Sequence, residues 1–199
     1  VTVSDPFLLE VQDYVQTFAV DDPELTAVKT ELYKDWPGVP SNHYEFLYEV
    51  LRRLKPKTVL ELGTHSGVSA LFMSKACPST KIYTIDNNMC QIQNSAQYTQ
   101  GVSNIEFIFG DVLDKRIAEK IPNDLGVIFV DTDRDIDLLN NQLALYYPKL
   151  KDGGYMFLDD ILSEQHYPQA FKWWRSLEGY KKMDLPRVHI GYEMGAILK

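Results

Sequence analysis

Apolar side chains along this chain follow two rhythms. Through the first third they recur at helical spacing. Phe7, Val11, Val15 and Phe18 share one face, and Leu25, Val28 and Leu32 share another. Asp22-Pro23-Glu24 reads as the start of the second helix, with the aspartate as cap and the proline in the first turn, where its missing N–H costs nothing. Trp36-Pro37-Gly38-Val39-Pro40 breaks that helix. A third, capped by Ser41, carries Phe46, Leu47, Val50, Leu51 and Leu54 until Lys55-Pro56-Lys57 stops it. Short apolar runs then alternate with helical stretches. Strands are predicted at 58–62, 81–85, 104–109, 126–130 and 155–158, the last opened by Gly153-Gly154. The intervening helices run through Ala70, Leu71 and Met73, from Gln91 to Gln100, up to Lys120, and from Ile136 to Tyr147. A helix with Ala170, Phe171 and Trp174 follows, and 180–199 reads as two strands joined near Gly191.

Alternating strands and helices imply parallel strands with crossover helices, hence a doubly wound, Rossmann-like α/β sheet. Seven strands are expected, mostly parallel, with an antiparallel C-terminal strand as part of a final pair at one edge. Residues 1–55 would form a helical segment lying over the carboxyl ends of the strands or on one face, and residues 56–199 the Rossmann-like core of a single domain. A length of 199 residues with 45% hydrophobic and 24% charged residues suits one globular domain with a real core.

Charge and cysteine content narrow the partners. A net charge of -8 repels a phosphate backbone, and no dense Lys/Arg cluster offsets it, so nucleic acid is not expected. No apolar run approaches the roughly 20 residues of a membrane helix, so no membrane is expected either. Val1-Thr2-Val3-Ser4-Asp5-Pro6 lacks the basic-then-apolar layout of a secretory signal. Cys77 and Cys90 show no metal-type spacing, and two free thiols fit a reducing, cytoplasmic setting.

In an open α/β sheet ligands sit outside the carboxyl ends of the strands. Five predicted strands end there in acids: Glu61-Leu62-Gly63, Asp86, Gly110-Asp111, Asp131 and Asp159-Asp160. Helix capping accounts for one or two of these, and poorly for five along one rim. The first loop, Glu61-x-Gly63-x-x-x-Gly67, is neither the Gly-x-Gly-x-x-Gly of dinucleotide enzymes nor a phosphate loop. Gly63 allows a tight turn and close approach to a ligand, and Gly67 lets the next helix pack closely. Glu61 suits a cationic ligand. Asp86 can accept from ribose hydroxyls, a role shared with NAD enzymes. Asp111 can accept from an adenine amino group beside an apolar wall at Val112.

This set, in this order, resembles the class I S-adenosylmethionine (SAM)-dependent methyltransferases over residues 59–199. The resemblance implies SAM as cofactor, with the amino group and sulfonium near Glu61. It implies cofactor contacts from Glu61, Gly63, Thr64, His65, Ser66, Gly67, Ser69, Asp86, Asn87, Asp111, Val112 and Asp131. His65 reads equally well as a plain loop histidine. The segments Asp131-Thr132-Asp133, Tyr147-Pro148 with Gly153-Gly154, and Asp159-Asp160 are similar to the macrocin-type O-methyltransferases, metal-dependent enzymes that methylate sugar hydroxyls. That similarity implies Asp131, Asp159 and Asp160 as Mg²⁺ ligands and Asp133 as the catalytic base. Independently, three carboxylates at neighbouring strand ends repel one another, and a hard divalent ion relieves this. Asp159-Asp160 also reads as a helix cap.

Two positions depart from the family pattern. Thr132 replaces a glycine, and Arg134 stands where a tyrosine or histidine is usual. Arg134 is always charged, so it cannot be a base, although it could hold an anionic substrate or pair with a carboxylate. His43 and His166 read as substrate-side or packing residues, His189 as structural, and Ser41-Asn42 as residues that reach toward the site. In Tyr146-Tyr147 and Trp173-Trp174, one ring of each pair is expected in the core. The expected activity is methylation of a hydroxyl on a small molecule such as a sugar, glycoside or phenol. A metal-independent N-methyltransferase and a non-catalytic SAM-binding module stay open, as does pairing of the helical N-terminus with a second subunit to form a homodimer. The glycine spacing argues against an NAD-dependent oxidoreductase.

Overall fold

The structure, a computed structural model, describes residues 1–32, 34, 42–188 and 193–199. The break at Trp36 to Pro40, the Ser41 cap, His189 and the Gly191 turn lie outside the described residues.

Helix α1 spans Pro6–Tyr14, α2 Pro23–Leu32 and α3 His43–Leu54. Proline opens the first two, and the preceding aspartates cap them. Asp5 accepts from Leu8 N at 3.0 Å, and Asp22 from Glu24 N at 2.9 Å and Leu25 N at 3.2 Å. Helix α1 ends before Phe18, which stacks on Tyr14 with ring centroids 4.8 Å apart. Lys55 stops α3 in the left-handed conformation (φ 45), ahead of Pro56.

The core then alternates. Strand β1 covers Thr58–Leu62, α4 Val68–Ala76, β2 Lys81–Asp86, α5 Met89–Thr99 and β3 Ile105–Phe109. A short α6 (Lys115–Ala118) precedes β4 (Leu125–Val130), α7 (Ile136–Tyr146) and β5 (Leu150–Leu158). Helix α8 (Pro168–Ser176) leads to β6 (Lys181–Leu185), and β7 is Met194–Leu198. These strands form one seven-stranded sheet in the order β3-β2-β1-β4-β5-β7-β6. From β1 the chain winds outward through β2 and β3, and later the other way through β4 and β5. The helices that follow β1 and β4 therefore pack on opposite faces of the sheet, and a crevice opens above the carboxyl ends of these strands.

The C-terminal pair refines the sequence expectation. Only β7 runs antiparallel: it pairs antiparallel with both β5 and β6, so β6 shares the direction of β1 to β5. Composition explains the seating. Strand β7 (MGAIL) is almost wholly buried and takes the interior position, whereas β6 (KKMDL) tolerates the rim. The outer edge of β6 is covered by the N-terminal residues, with Val3 N donating to Lys182 O and Lys182 N to Val1 O, both at 2.9 Å. Strand β5 also begins earlier than its apolar run suggests. Gly153, at φ 74, lies within it, where the register with β4 slips between Leu125 and Val127.

Alternate strand residues feed two cores. Val59, Phe129 and Phe157 pack with Leu8, Val11, Phe46, Leu47, Val50 and Leu51 of α1 and α3. Leu60, Ile128 and Met156 pack with Leu139, Leu143 and Tyr146 of α7 and Ala170 and Trp174 of α8. Phe46 meets Phe157 edge-on at 5.3 Å, a contact worth about 1 kcal/mol beyond its buried area. Of the two placements open for the N-terminal helices, α1 and α3 therefore take the sheet face. Tyr146 is buried and Tyr147 partly so, but Trp173 and Trp174 are both buried, unlike the expected single core ring. Each indole finds a polar partner: Trp173 Nε1 donates to Asn140 Oδ1 and Trp174 Nε1 to Asp184 Oδ1, both at 2.8 Å.

Candidate functional site

A cavity of about 760 Å³ opens over the carboxyl ends of the strands, within the range of small-molecule sites. Its walls include Gly63 and His65 after β1, Asp86 and Asn87 after β2, and Asp111 and Val112 after β3. Asp131 to Arg134 follow β4, and Asp159 and Asp160 follow β5. Ten of the residues expected to serve as cofactor contacts, metal ligands or base thus line one space. Six carboxylates (Asp86, Asp111, Asp131, Asp133, Asp159 and Asp160) face it against one arginine, so its field favours a cationic ligand.

The first loop is built by its glycines. Gly63 turns the chain at φ 95, and a Cβ there would lie 2.1 Å from the Asp131 carbonyl oxygen. The missing side chain therefore lets the loops after β1 and β4 touch. Gly67, at φ 74, caps α4, and a Cβ on it would lie 2.6 Å from Ser95 Cβ on α5. Asp86 ties this loop down. Its Oδ2 accepts from Thr64 N and His65 N at 3.0 Å each, and its Oδ1 from Asn88 N at 2.7 Å. A carboxylate offers about four acceptor sites, so about one stays available to a ligand hydroxyl. On the far wall, Tyr146 OH donates to the Val112 carbonyl at 2.7 Å and fixes that residue, while Asp111 Oδ1 accepts from Leu113 N at 2.8 Å.

Glu61 differs from its sequence reading. It is fully buried behind the loop and is not part of the cavity wall. Ser69 Oγ donates to its Oε1, and Thr84 Oγ1 donates to its Oε2 at 2.5 Å. Thr64 Oγ1 lies 2.6 Å from Thr84 Oγ1 and extends the network. The reason is strand period: Glu61 is in phase with Val59 and points to the α4 side. Thr64, Ser69 and Gly67 are likewise buried, Ser66 is half-buried, and none of them joins the wall. Burial pushes the Glu61 carboxyl up to about 8, against the opposing bonds from Ser69 and Thr84. Between pH 4.5 and 8 the unfolded chain has released this proton while the folded chain keeps it, so stability falls as pH rises through that window. Glu61→Gln should remove the slope. Urea unfolding at pH 5.5 and 8 should show wild type losing on the order of a few kcal/mol relative to the variant. Parallel pH profiles would refute a buried, protonated Glu61.

After β4, Thr132 is anchored by Gln142, whose Nε2 donates to Thr132 Oγ1 at 2.9 Å. Asp133 is exposed at the cavity mouth. Asp131, Asp159 and Asp160 converge, with one carboxylate oxygen from each lying within 4.8 Å of the others. Asp160 adopts the left-handed conformation (φ 58) to aim its side chain there. Burial raises the Asp131 carboxyl above its usual range, and the neighbouring Asp159 charge adds to this. These oxygen donors suit a hard divalent ion. The space among them does not, because Arg134 fills it. Its Nη2 donates to Asp160 Oδ2 at 2.5 Å and to Asp131 Oδ1 at 3.0 Å, and stands 4.0 Å from Asp159 Oδ2. The residues as placed do not fit a resident magnesium ion. Burial opposes the guanidinium charge, yet the three carboxylates hold it above its usual value.

Some wall residues carried no sequence signal. Tyr44 and Tyr167 both line the cavity, and the Arg134 guanidinium lies 5.4 Å from the Tyr167 ring centre. His43 is buried at the wall, its ring 3.9 Å from that of Tyr44, so both come from the start of α3. His166 is off the wall, with Nδ1 2.9 Å from Ser163 Oγ.

An open doubly wound sheet with a crevice at its switch point places the chain among the Rossmann-like α/β folds, and the acid lining suits a cationic ligand rather than a phosphate. The family follows from the sequence match: residues 60–161 match the methyltransferase domain family, and the chain belongs to it. Rhamnosyl O-methyltransferase of Mycobacterium tuberculosis (strain ATCC 25618 / H37Rv) is 30% identical over 122 residues, covering 56% of this chain and 49% of that protein. The chain thus spans about half the length of the curated relatives it matches. Two solved structures share the fold. The O-methyltransferase from Bacillus cereus in complex with SAH (S-adenosylhomocysteine) aligns with a TM-score of 0.69 at 16% identity, covering 96% of this chain and 97% of the other. TomG of Streptomyces achromogenes, an O-methyltransferase of tomaymycin synthesis in complex with SAM, gives 0.67 at 18% identity, covering 96% of each chain. Among the described residues no helix is long and apolar enough to cross a membrane.

Proposed function

We propose that this chain transfers a methyl group from SAM to a hydroxyl of a small molecule, with Asp133 as the base. The observation that carries this reading is the acid-lined cavity of about 760 Å³ at the strand ends, walled mostly by residues of the methyltransferase match. In this reading the methionine end of SAM lies over Gly63 and His65, the ribose meets Asp86 and Asn87, and adenine sits between Asp111 and Val112. Glu61, Thr64, Ser66, Gly67 and Ser69 hold the loop from behind. The sulfonium then faces the carboxylates after β4 and β5. The acceptor hydroxyl enters past Tyr44 and Tyr167, next to Asp133.

The reaction needs alignment and a place for one proton. The acceptor oxygen forms the new C–O bond as the C–S bond breaks, and the sulfur leaves as a neutral thioether. Asp133 takes the hydroxyl proton. The cofactor supplies the reactive group, and the protein supplies orientation and field. The magnesium ion implied by the macrocin-type resemblance takes no step in this reading. The names of the rhamnosyl and tomaymycin relatives support oxygen as the accepting atom, and the acidic wall supports a cationic cofactor over a pyrophosphate.

Calorimetry with SAM and SAH, followed by mass spectrometry of glycoside and phenol acceptors, tests the proposal. Saturable binding of both ligands and a methyl ether product are expected. A methylated amine with no ether would favour the N-methyltransferase. Binding without transfer to any acceptor would favour a non-catalytic module.

A further inference from the structure

We propose that the Arg134 guanidinium is a built-in cation that takes the seat a divalent metal would occupy among Asp131, Asp159 and Asp160, so that this chain works without a metal ion. The acids are arranged as cation ligands, with converging oxygens within 4.8 Å. The cation among them is a side chain. Nη2 bonds Asp131 and Asp160 and stands 4.0 Å from Asp159, Nη1 donates to the Thr132 carbonyl, and the group is 12% exposed. Tyr167 covers it with its ring face at 5.4 Å. Contacts on all these sides make this more than a surface ion pair, whose worth would be slight.

Arg134 and a metal ion compete for the same place, and two features favour Arg134. First, magnesium binds oxygen at about 2.1 Å. An ion held by Asp131 and Asp160 would crowd Nη2, and like charges at such range repel strongly in a partly buried site. Arg134 would have to leave, giving up charge-assisted hydrogen bonds, the strong class in proteins. Second, the arginine is tethered three residues from Asp131, so its presence does not depend on solution concentration. Exchanging one doubly charged ion for one guanidinium also leaves the rim more negative, which favours a sulfonium cofactor at the same place. Arg134 is thus a positioning residue: it holds three repelling carboxylates together and sets the field at the site.

The inference rests on the methyl-transfer reading only for its activity arm, so a binding arm is measured separately. Metal-stripped protein is titrated with Mn²⁺, followed by electron paramagnetic resonance, in wild type, Arg134→Gly and Arg134→Gln. Wild type should show no saturable site, and its methyl transfer should be unchanged by EDTA. Arg134→Gly or Arg134→Gln should gain one Mn²⁺ site, bound about 10- to 100-fold more tightly than any wild-type binding. Adding Asp160→Asn should remove it again. Having two variants guards against one failing to fold, which circular dichroism reports. A wild-type Mn²⁺ site abolished by Asp160→Asn would overturn the proposal. So would folded Arg134 variants that gain no site, since the cluster would then be no cation seat. Failure to bind SAM would count against the proposed function and leave the metal titrations to be judged alone.

Discussion

Gly63→Val should abolish measurable SAM binding, raising the dissociation constant by about 10²-fold or more. Two costs act together. At φ 95 a side-chain-bearing residue is strained, and its Cβ would lie 2.1 Å from the Asp131 carbonyl oxygen. That oxygen is backbone, and Asp131 N already donates to Leu62 O at 2.9 Å, so neither loop can yield cheaply. The loop after β1 must lift away from the loop after β4, and the cavity loses its shape between the proposed cofactor and base. Strain of about 1–3 kcal/mol joined to a similar overpacking cost should also lower Tm by about 5 °C or more. Gly101→Ala is the control. Gly101 also has a left-handed φ (81), but nothing lies within 4 Å of its added Cβ, so only conformational strain remains. Calorimetry with SAH should find that control near wild type. If Gly63→Val binds within twofold of wild type, the loop does not hold the cofactor.

Asp133→Asn should lower kcat by about 10²–10⁴-fold, the usual loss for a general base, while SAM affinity stays within about twofold. The separation is expected because Asp133 is exposed at the cavity mouth and the Arg134 guanidinium leans on Asp131 and Asp160 instead. The amide keeps the shape and cannot take the proton. Single-turnover kinetics with a hydroxylated acceptor would read the chemical step directly. Unchanged turnover would move the base elsewhere on the wall, which also carries the imidazoles of His43 and His65. Asp131→Asn would be a poorer probe, since it also disturbs the Arg134 cluster.

Much of this site was legible in the sequence, for a reason of topology. Parallel strands all end on one rim, so acids that close separate apolar runs must come together in space. Asp86, Asp111, Asp131, Asp159 and Asp160 do line one cavity. The back-facing Glu61 was legible in principle. The period of two places it with Val59, not with Leu60 and Leu62, and Ser69 in the first turn of α4 meets it there. Tyr44 and Tyr167 had no such signal, because they reach the wall from the start of α3 and from the residue before α8.

Sequence alone determined the alternation of elements, the Gly63 turn and the gathering of carboxylates at one edge. These follow from local periodicity, glycine conformation and the one-sided exit of parallel strands. Tertiary structure decided the rest. It decided which sheet face α1 and α3 cover, that β7 slips between β5 and β6, and that Asp86 spends its oxygens on loop amides. Above all, it placed Arg134 inside the acid cluster rather than toward a substrate. A lone arginine in a sequence can pair with any acid within its reach. Only the folded positions of β4, β5 and Tyr167 fix which acids those are, and so whether a metal has room beside them.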